Sequence, residues 1–113
     1  MKAAEIVLVR FPFADIQASK KRPALVLAET ARGPRAGLLT VAMITSQVEG
    51  NALPGDVDLA DWEAAGLLHP NRLRMAKVAS MDRELSESRL GTLSARDQRS
   101  ARRAFRQIFS AWA

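Results

Sequence analysis

At 113 residues the chain is the length of one domain, spanning residues 1–113, and can bury about two-thirds of the surface its unfolded form exposes. Its 48% hydrophobic and 26% charged residues describe a globular protein, and the absence of cysteine excludes a disulfide framework, a thiolate metal site and a cysteine nucleophile, which makes a reducing cytoplasm its natural home. Glu5, Arg10 and Asp15 interrupt any signal-peptide core, and the longest uncharged run, residues 36–48, is shorter than the ~20 residues that span a bilayer, so no membrane association is expected.

Seventeen Lys and Arg against twelve Asp and Glu give a net charge of +5, the balance of a protein that meets a polyanion. The distribution says more than the total. Basic residues gather at Lys20, Lys21 and Arg22, at Arg32 and Arg35, and at Arg96, Arg99, Arg102, Arg103 and Arg106, whereas residues 49–63 hold five carboxylates and no cation.

In chain order, residues 6–11 are rich in Val, Ile and Phe and end at Pro12, which predicts a first strand. Pro23 forces Arg22 into an extended conformation and leads into a second strand over residues 24–28. Gly33, Pro34 and Gly37 mark a turn before a third strand at residues 38–45. After further breakers comes a short fourth strand at residues 57–59, then a brief helix capped by Asp61 and ended by Gly66. A strand at residues 72–79 carries Arg72, Arg74 and Lys77 among apolar residues. Ser94 and Asp97 stand at capping-box spacing before a final helix, with Ala101, Phe105, Ile108 and Trp112 on one face and the arginines on the other. Trp62 and Trp112 are expected to pack in the interior. Antiparallel strands that curl to bury one face, closed by a C-terminal helix, make a mainly β fold of the small SH3-like barrel type.

Three blocks then carry a resemblance. The first runs from E-I-V-L-V-R-F-P-F-A-D through a basic loop to K-R-P-A-L-V-L (residues 5–27), and the second is A-M-I-T-S-Q (residues 42–47). The third joins D-V-D-L, A-A-G-L-L-H-P and R-L-R-M-A-K-V-A-S-M-D-R, after which L-G-T-L-S leads into the helix. In order and spacing the chain resembles the MazF/PemK toxins over nearly its whole length. The resemblance implies a curled barrel of the MazF/PemK/CcdB type and a metal-independent, cofactor-free endoribonuclease that cuts single-stranded RNA. It further implies a homodimer held in check by a cognate antitoxin with an acidic, disordered segment.

It also implies site residues. Arg22 stands at the catalytic arginine and Thr45 beside it, with Lys20, Lys21, Ser46, Gln47 and Arg74 as RNA contacts. The chemistry is coherent: attack of a ribose 2′-hydroxyl on its phosphate builds negative charge on phosphorus, which a guanidinium meets at two oxygens and a hydroxyl meets without adding charge. Some relatives place an Arg-x-Asp pair on the strand of Arg74, but Ala76 occupies the carboxylate position here. His69 is the only histidine, so a two-histidine mechanism within one chain is excluded. Taken without the resemblance, residues 20–22 form a solvated loop, and Thr45 and Ser46 satisfy backbone groups at a strand end. Two other functions fit the fold: a CcdB-like toxin that binds and inhibits a topoisomerase, and an adaptor for proline-rich peptides, for which the aromatic residues are too few.

Overall fold

The computed structural model describes residues 1–10, 21–32 and 36–112. Its strands are β1 (Glu5–Arg10), β2 (Lys21–Arg32), β3 (Ala36–Thr45), β4 (Asp56–Asp58), β5 (Arg72–Asp82) and β6 (Ser86–Thr92), followed by helix α1 (Ala95–Phe109). All pairings are antiparallel, in the order β4-β5-β3-β2-β1-β6. The sheet curls without closing: among the described residues β4 and β6 are its two edges, and α1 packs across one face.

Alternation along the strands gives the sheet two apolar faces. Ile6, Leu25, Ala42, Ile44, Leu73 and Met75 face α1 and pack with Leu59, Leu67, Leu93, Ala101 and Ala104. Val7, Val9, Ala24, Val26, Leu39, Val41 and Met81 form a second core on the opposite face. Together they fix which way each strand residue points.

The strands outrun their sequence signals. The second strand begins at Lys21, so Pro23 lies inside it, opposite Leu8 of β1. The ladder from β2 to β3 starts only at Ala24, so the missing Pro23 N–H leaves no gap in it. The strand expected at residues 72–79 continues to Asp82, with an irregularity opposite Ala42 and Met43 that absorbs extra residues of β5. Strand β6, of sequence S-E-S-R-L-G-T, had no apolar alternation to announce it; it forms because β1 offers it a free edge.

The helix expected after Asp61 is a single turn. Ala65 N–H reaches the Asp61 carbonyl at 3.2 Å, but Gly66 adopts φ +84° and the turn stops there. A side chain at Gly66 would strike the Leu90 carbonyl, so glycine lets this turn lie against β6. Asp61 caps nothing; its carboxylate accepts from Ser94 Oγ at 2.6 Å and from Arg96 Nη2 at 2.6 Å.

Helix α1 starts where expected, with Asp97 N–H donating to Ser94 Oγ at 3.2 Å. The Asp97 carboxylate does not close the capping box. It is 1% exposed and accepts from Ala60 N–H at 3.0 Å and Asp61 N–H at 2.8 Å, tying the helix to the turn after β4. The buried face of α1 is Asp97, Ala101 and Ala104. Phe105 is half out and Trp112, expected in the interior, is 94% exposed, because the chain leaves the sheet in a 3-10 turn at Ser110–Trp112. Trp62 does pack against the core.

Candidate nucleic-acid interface

Two cross-strand rows define one end of the sheet. The first pairs Val7 with Ala24, Ala24 with Met43, Met43 with Arg74 and Arg74 with Asp56. In the second, Val9 pairs with Arg22, Thr45 with Arg72 and Arg72 with Asp58. Continuing the β2–β3 register by two residues sets Arg22 across from Thr45. By alternation, Arg22 follows Ala24 and Val26, Thr45 follows Val41 and Met43, and Arg72 and Arg74 interleave with Leu73 and Met75. All four therefore lie on the face turned away from α1.

Arg22 is exposed and Thr45 half-buried. Thr45 Oγ1 accepts from Gln47 N–H at 3.1 Å, the local strand-end bond expected of such a residue, and this leaves the hydroxyl proton available to an outside acceptor. Ser46 and Gln47 follow on the exposed loop. Arg74 Nε is buried without a hydrogen-bond acceptor among the described residues. Arg74 as a whole is half-buried.

Arg72 is the residue that the sequence did not single out as functional. It is 3% exposed and donates from Nε to Asp58 Oδ1 at 2.7 Å and from Nη2 to the carbonyls of Val48 and Gly50 at 3.0 and 3.2 Å. The Asp58 carboxylate, as hydrogen-bond partner and opposing charge, raises its pKa above the usual arginine value. Arg72 thus clamps the loop that follows Thr45 onto β4. The signal was present: D-V-D opposite R-L-R matches charge with charge when β4 and β5 run antiparallel.

Lys21 does not join this row. It alternates to the other face, where Glu87 of β6 receives its Nζ at 2.6 Å and Arg10 Nε at 2.6 Å. These two cations, Lys21 first, hold the Glu87 carboxyl below its ordinary value. Lys20 lies outside the described residues. No group of three His, Asp or Glu side chains gathers as a metal site among the described residues, and no described helix is long and apolar enough to cross a membrane.

The small curled antiparallel sheet thus carries Arg22, Thr45 and Arg72 in one cross-strand row and Arg74 in the next, all on one face. A profile of the PemK-like, MazF-like toxins of type II toxin-antitoxin systems matches residues 2–109. The chain belongs to this family, whose known members are endoribonucleases.

Solved structures agree on the fold. A mycobacterial endoribonuclease in complex with its cognate antitoxin superposes with TM-score 0.72 at 10% identity, covering 97% of this chain and 95% of that one. The Mycobacterium tuberculosis toxin MazF-mt6 gives 0.66 at 24% identity, covering 94% and 96%. The MazE-MazF complex of Deinococcus radiodurans gives 0.69 at 21% identity, covering 96% and 94%. No curated protein gives a significant match.

Proposed function

We propose that this chain is the toxin of a type II toxin-antitoxin pair, a cytoplasmic, metal-independent endoribonuclease that cuts single-stranded RNA. The observation that carries the reading is the placing of Arg22 and Thr45 at facing positions on one face, in a chain of this family.

In the proposed reaction the ribose 2′-hydroxyl attacks the adjacent phosphorus, the bond to the 5′-oxygen of the next nucleotide breaks, and that oxygen leaves with a proton. The products are a 2′,3′-cyclic phosphate and a 5′-hydroxyl. Arg22 spans two phosphate oxygens as charge accumulates, and Thr45 donates its free proton to one of them. Arg74, half-buried on the same face, offers its guanidinium charge to a neighbouring phosphate, while Ser46, Gln47 and Lys20 contact the strand on either side. Lys21, neutralised by Glu87 on the other face, contributes long-range field and no direct contact.

The molecule acts as a homodimer, and its antitoxin lays an acidic segment over the Arg22–Arg74 face, competing with RNA for the same cations. The experiment is cleavage of a single-stranded RNA by the purified chain and by Arg22→Ala. Loss of one preorganised donor costs about 10²- to 10³-fold in rate. Thr45→Ala is expected to cost less, since the neighbouring residue Ser46 or solvent can partly replace its hydroxyl. A folded Arg22→Ala variant that cuts at the wild-type rate would remove the assignment.

A further inference from the structure

Helix α1 carries most of the chain's excess charge. Its 15 residues hold five arginines and one carboxylate, Asp97, a net +4 of the chain's +5. Asp97 is buried against the turn after β4, so the solvent side of the helix has no negative group of its own. All five arginines are exposed. At about 100° per residue, Arg96, Arg99, Arg103 and Arg106 make one ridge that points away from the buried Asp97, Ala101 and Ala104, with Arg102 on its flank. A rise of 1.5 Å per residue makes that ridge about 15 Å long.

A solvated helix face mixes its signs so that neighbours one turn apart attract. Here Arg99 stands one turn from Arg103, and Arg102 one turn from Arg106, like-charge pairs that oppose the helix. The helix dipole favours a cation in the last turn, which accounts for Arg106 and not for Arg96 or Arg99. Arg96 is paired with Asp61, and Arg10, Arg72, Arg83 and Arg89 have carboxylate partners elsewhere. Among the described residues Arg99, Arg102, Arg103 and Arg106 have none. A polyanion laid along the ridge relieves this repulsion.

The make-up of the ridge selects the polyanion. Beside the arginines stand Ser100 and Gln107 and no large apolar side chain; Phe105 and Phe109 pack on each other off the ridge, with ring centroids 4.8 Å apart. An acidic protein segment that orders on binding needs apolar surface to bury, and the ridge offers none. Every cation is an arginine, whose planar fork meets two phosphate oxygens. With no aromatic on the ridge for bases to stack on, the contact is to the backbone and independent of sequence.

We propose that the α1 ridge is a second RNA-binding surface, which holds the phosphates of a long RNA while another stretch of the same molecule lies at Arg22 and Thr45. The choice of RNA rests on the ribonuclease reading. The ridge is on the α1 side of the sheet, opposite Arg22, Thr45 and Arg74, and the molecule is 25 Å across its shortest axis, so a strand touches both surfaces only by passing round an edge of the sheet. A short RNA reaches the catalytic face alone. The ridge therefore favours long substrates and leaves the chemistry of the cut unchanged.

The test uses the full chain, a variant combining Arg99→Gln, Arg103→Gln and Arg106→Gln, and two RNAs of about 10 and about 40 nucleotides that share one mapped cut site. Binding is read by fluorescence anisotropy on the 2′-O-methyl forms of both, across a range of salt. The variant should bind the long form about tenfold or more weakly, with the log–log salt slope reduced by about 2 for three phosphates lost, and should bind the short form as the wild type does. On cleavable RNA its KM should rise for the long substrate only, at unchanged kcat. Gln keeps helix propensity and removes the like-charge pairs, so the melting temperature should not fall; Lys at the same three positions should restore most of the slope. An unchanged slope, or equal losses on short and long RNA, would overturn the proposal. Tighter ridge-dependent binding of duplex DNA or of poly-glutamate than of the long RNA would also overturn it, and would make the ridge a DNA-binding or protein-binding surface. A wild type that holds the long RNA through the ridge but cuts neither RNA would sink the ribonuclease reading and leave the ridge standing.

Discussion

Arg72, 3% exposed, places its Nε 2.7 Å from an Asp58 carboxylate that is 60% exposed, so a buried cation on β5 is neutralised by a carboxylate at the surface of β4. The same guanidinium holds the carbonyls of Val48 and Gly50, which makes Arg72 the fixed point for the loop beginning at Thr45.

Arg72→Ala is expected to lower the unfolding temperature and to speed proteolysis within residues 46–54, because it strips two carbonyls and one carboxylate of a shared donor. Asp58→Asn should be milder, since the carbonyl bonds survive. A thermal melt and limited digestion of both variants provide the check. Equal effects of the two would mean that the loop does not depend on the Arg72 bonds.

Asp97→Ala leaves the N–H groups of Ala60 and Asp61 without their acceptor in a partly buried site, at up to about 1–3 kcal/mol for each donor stranded. Asp97→Asn keeps one acceptor oxygen and should recover part of the loss. Urea unfolding measures both; a near-neutral Asp97→Ala would show that water reaches these groups.

How much of this was legible beforehand follows from the physics of each element. The buried runs of β1, β3 and β5 and the Ser94 cap are local signals, and they predicted their elements well. Strand β6 exists only through its partner β1, so the polar sequence S-E-S-R announced nothing. Asp97 showed its capping-box spacing but not its second role, which depends on a turn 36 residues away in sequence. Arg22, Thr45 and Arg74 fall on one face because strands alternate and pair in register, information that the spacing within each strand contains only once the pairing is known. Lys21 shows the converse: neighbours in sequence along a strand point apart, so a basic run is not a basic patch.

Acid should weaken the fold through its surface carboxylates. Hydrogen bonds from the Lys2 backbone, the N-terminal ammonium, Arg96 and Lys21 hold Glu5, Glu29, Asp61 and Glu87 below their ordinary values of 4.5, 4.5, 3.8 and 4.5. A depressed carboxyl pKa in the folded state adds stability above the unfolded value, and that stability disappears as pH falls through the lowered value. Unfolding temperature should therefore be level above about pH 5 and fall below it. Glu87→Gln should flatten part of that fall, and an unchanged curve would mean that the pair with Lys21 and Arg10 contributes nothing.

Assembly and electrostatics give a further check. Sedimentation at micromolar concentration should report twice the 12.4 kDa chain mass, and a monomer would contradict the proposed dimer. RNA affinity should fall with salt by a slope of about −0.7 in log–log form for each phosphate neutralised on a single strand. Arg74→Ala should reduce that slope, while Lys21→Ala, whose cation is already paired, should change it little.

The most direct test of the central claim is cleavage of a single-stranded RNA in which one nucleotide at the cut site carries a 2′-deoxy or 2′-O-methyl ribose, with chelator present throughout. The proposed mechanism predicts that the unmodified strand is cut to a 2′,3′-cyclic phosphate and a 5′-hydroxyl. It also predicts that the modified strand remains intact at that position while still competing for binding. Cleavage of the modified strand at the same bond, or loss of all activity with chelator and its return with magnesium, would contradict it.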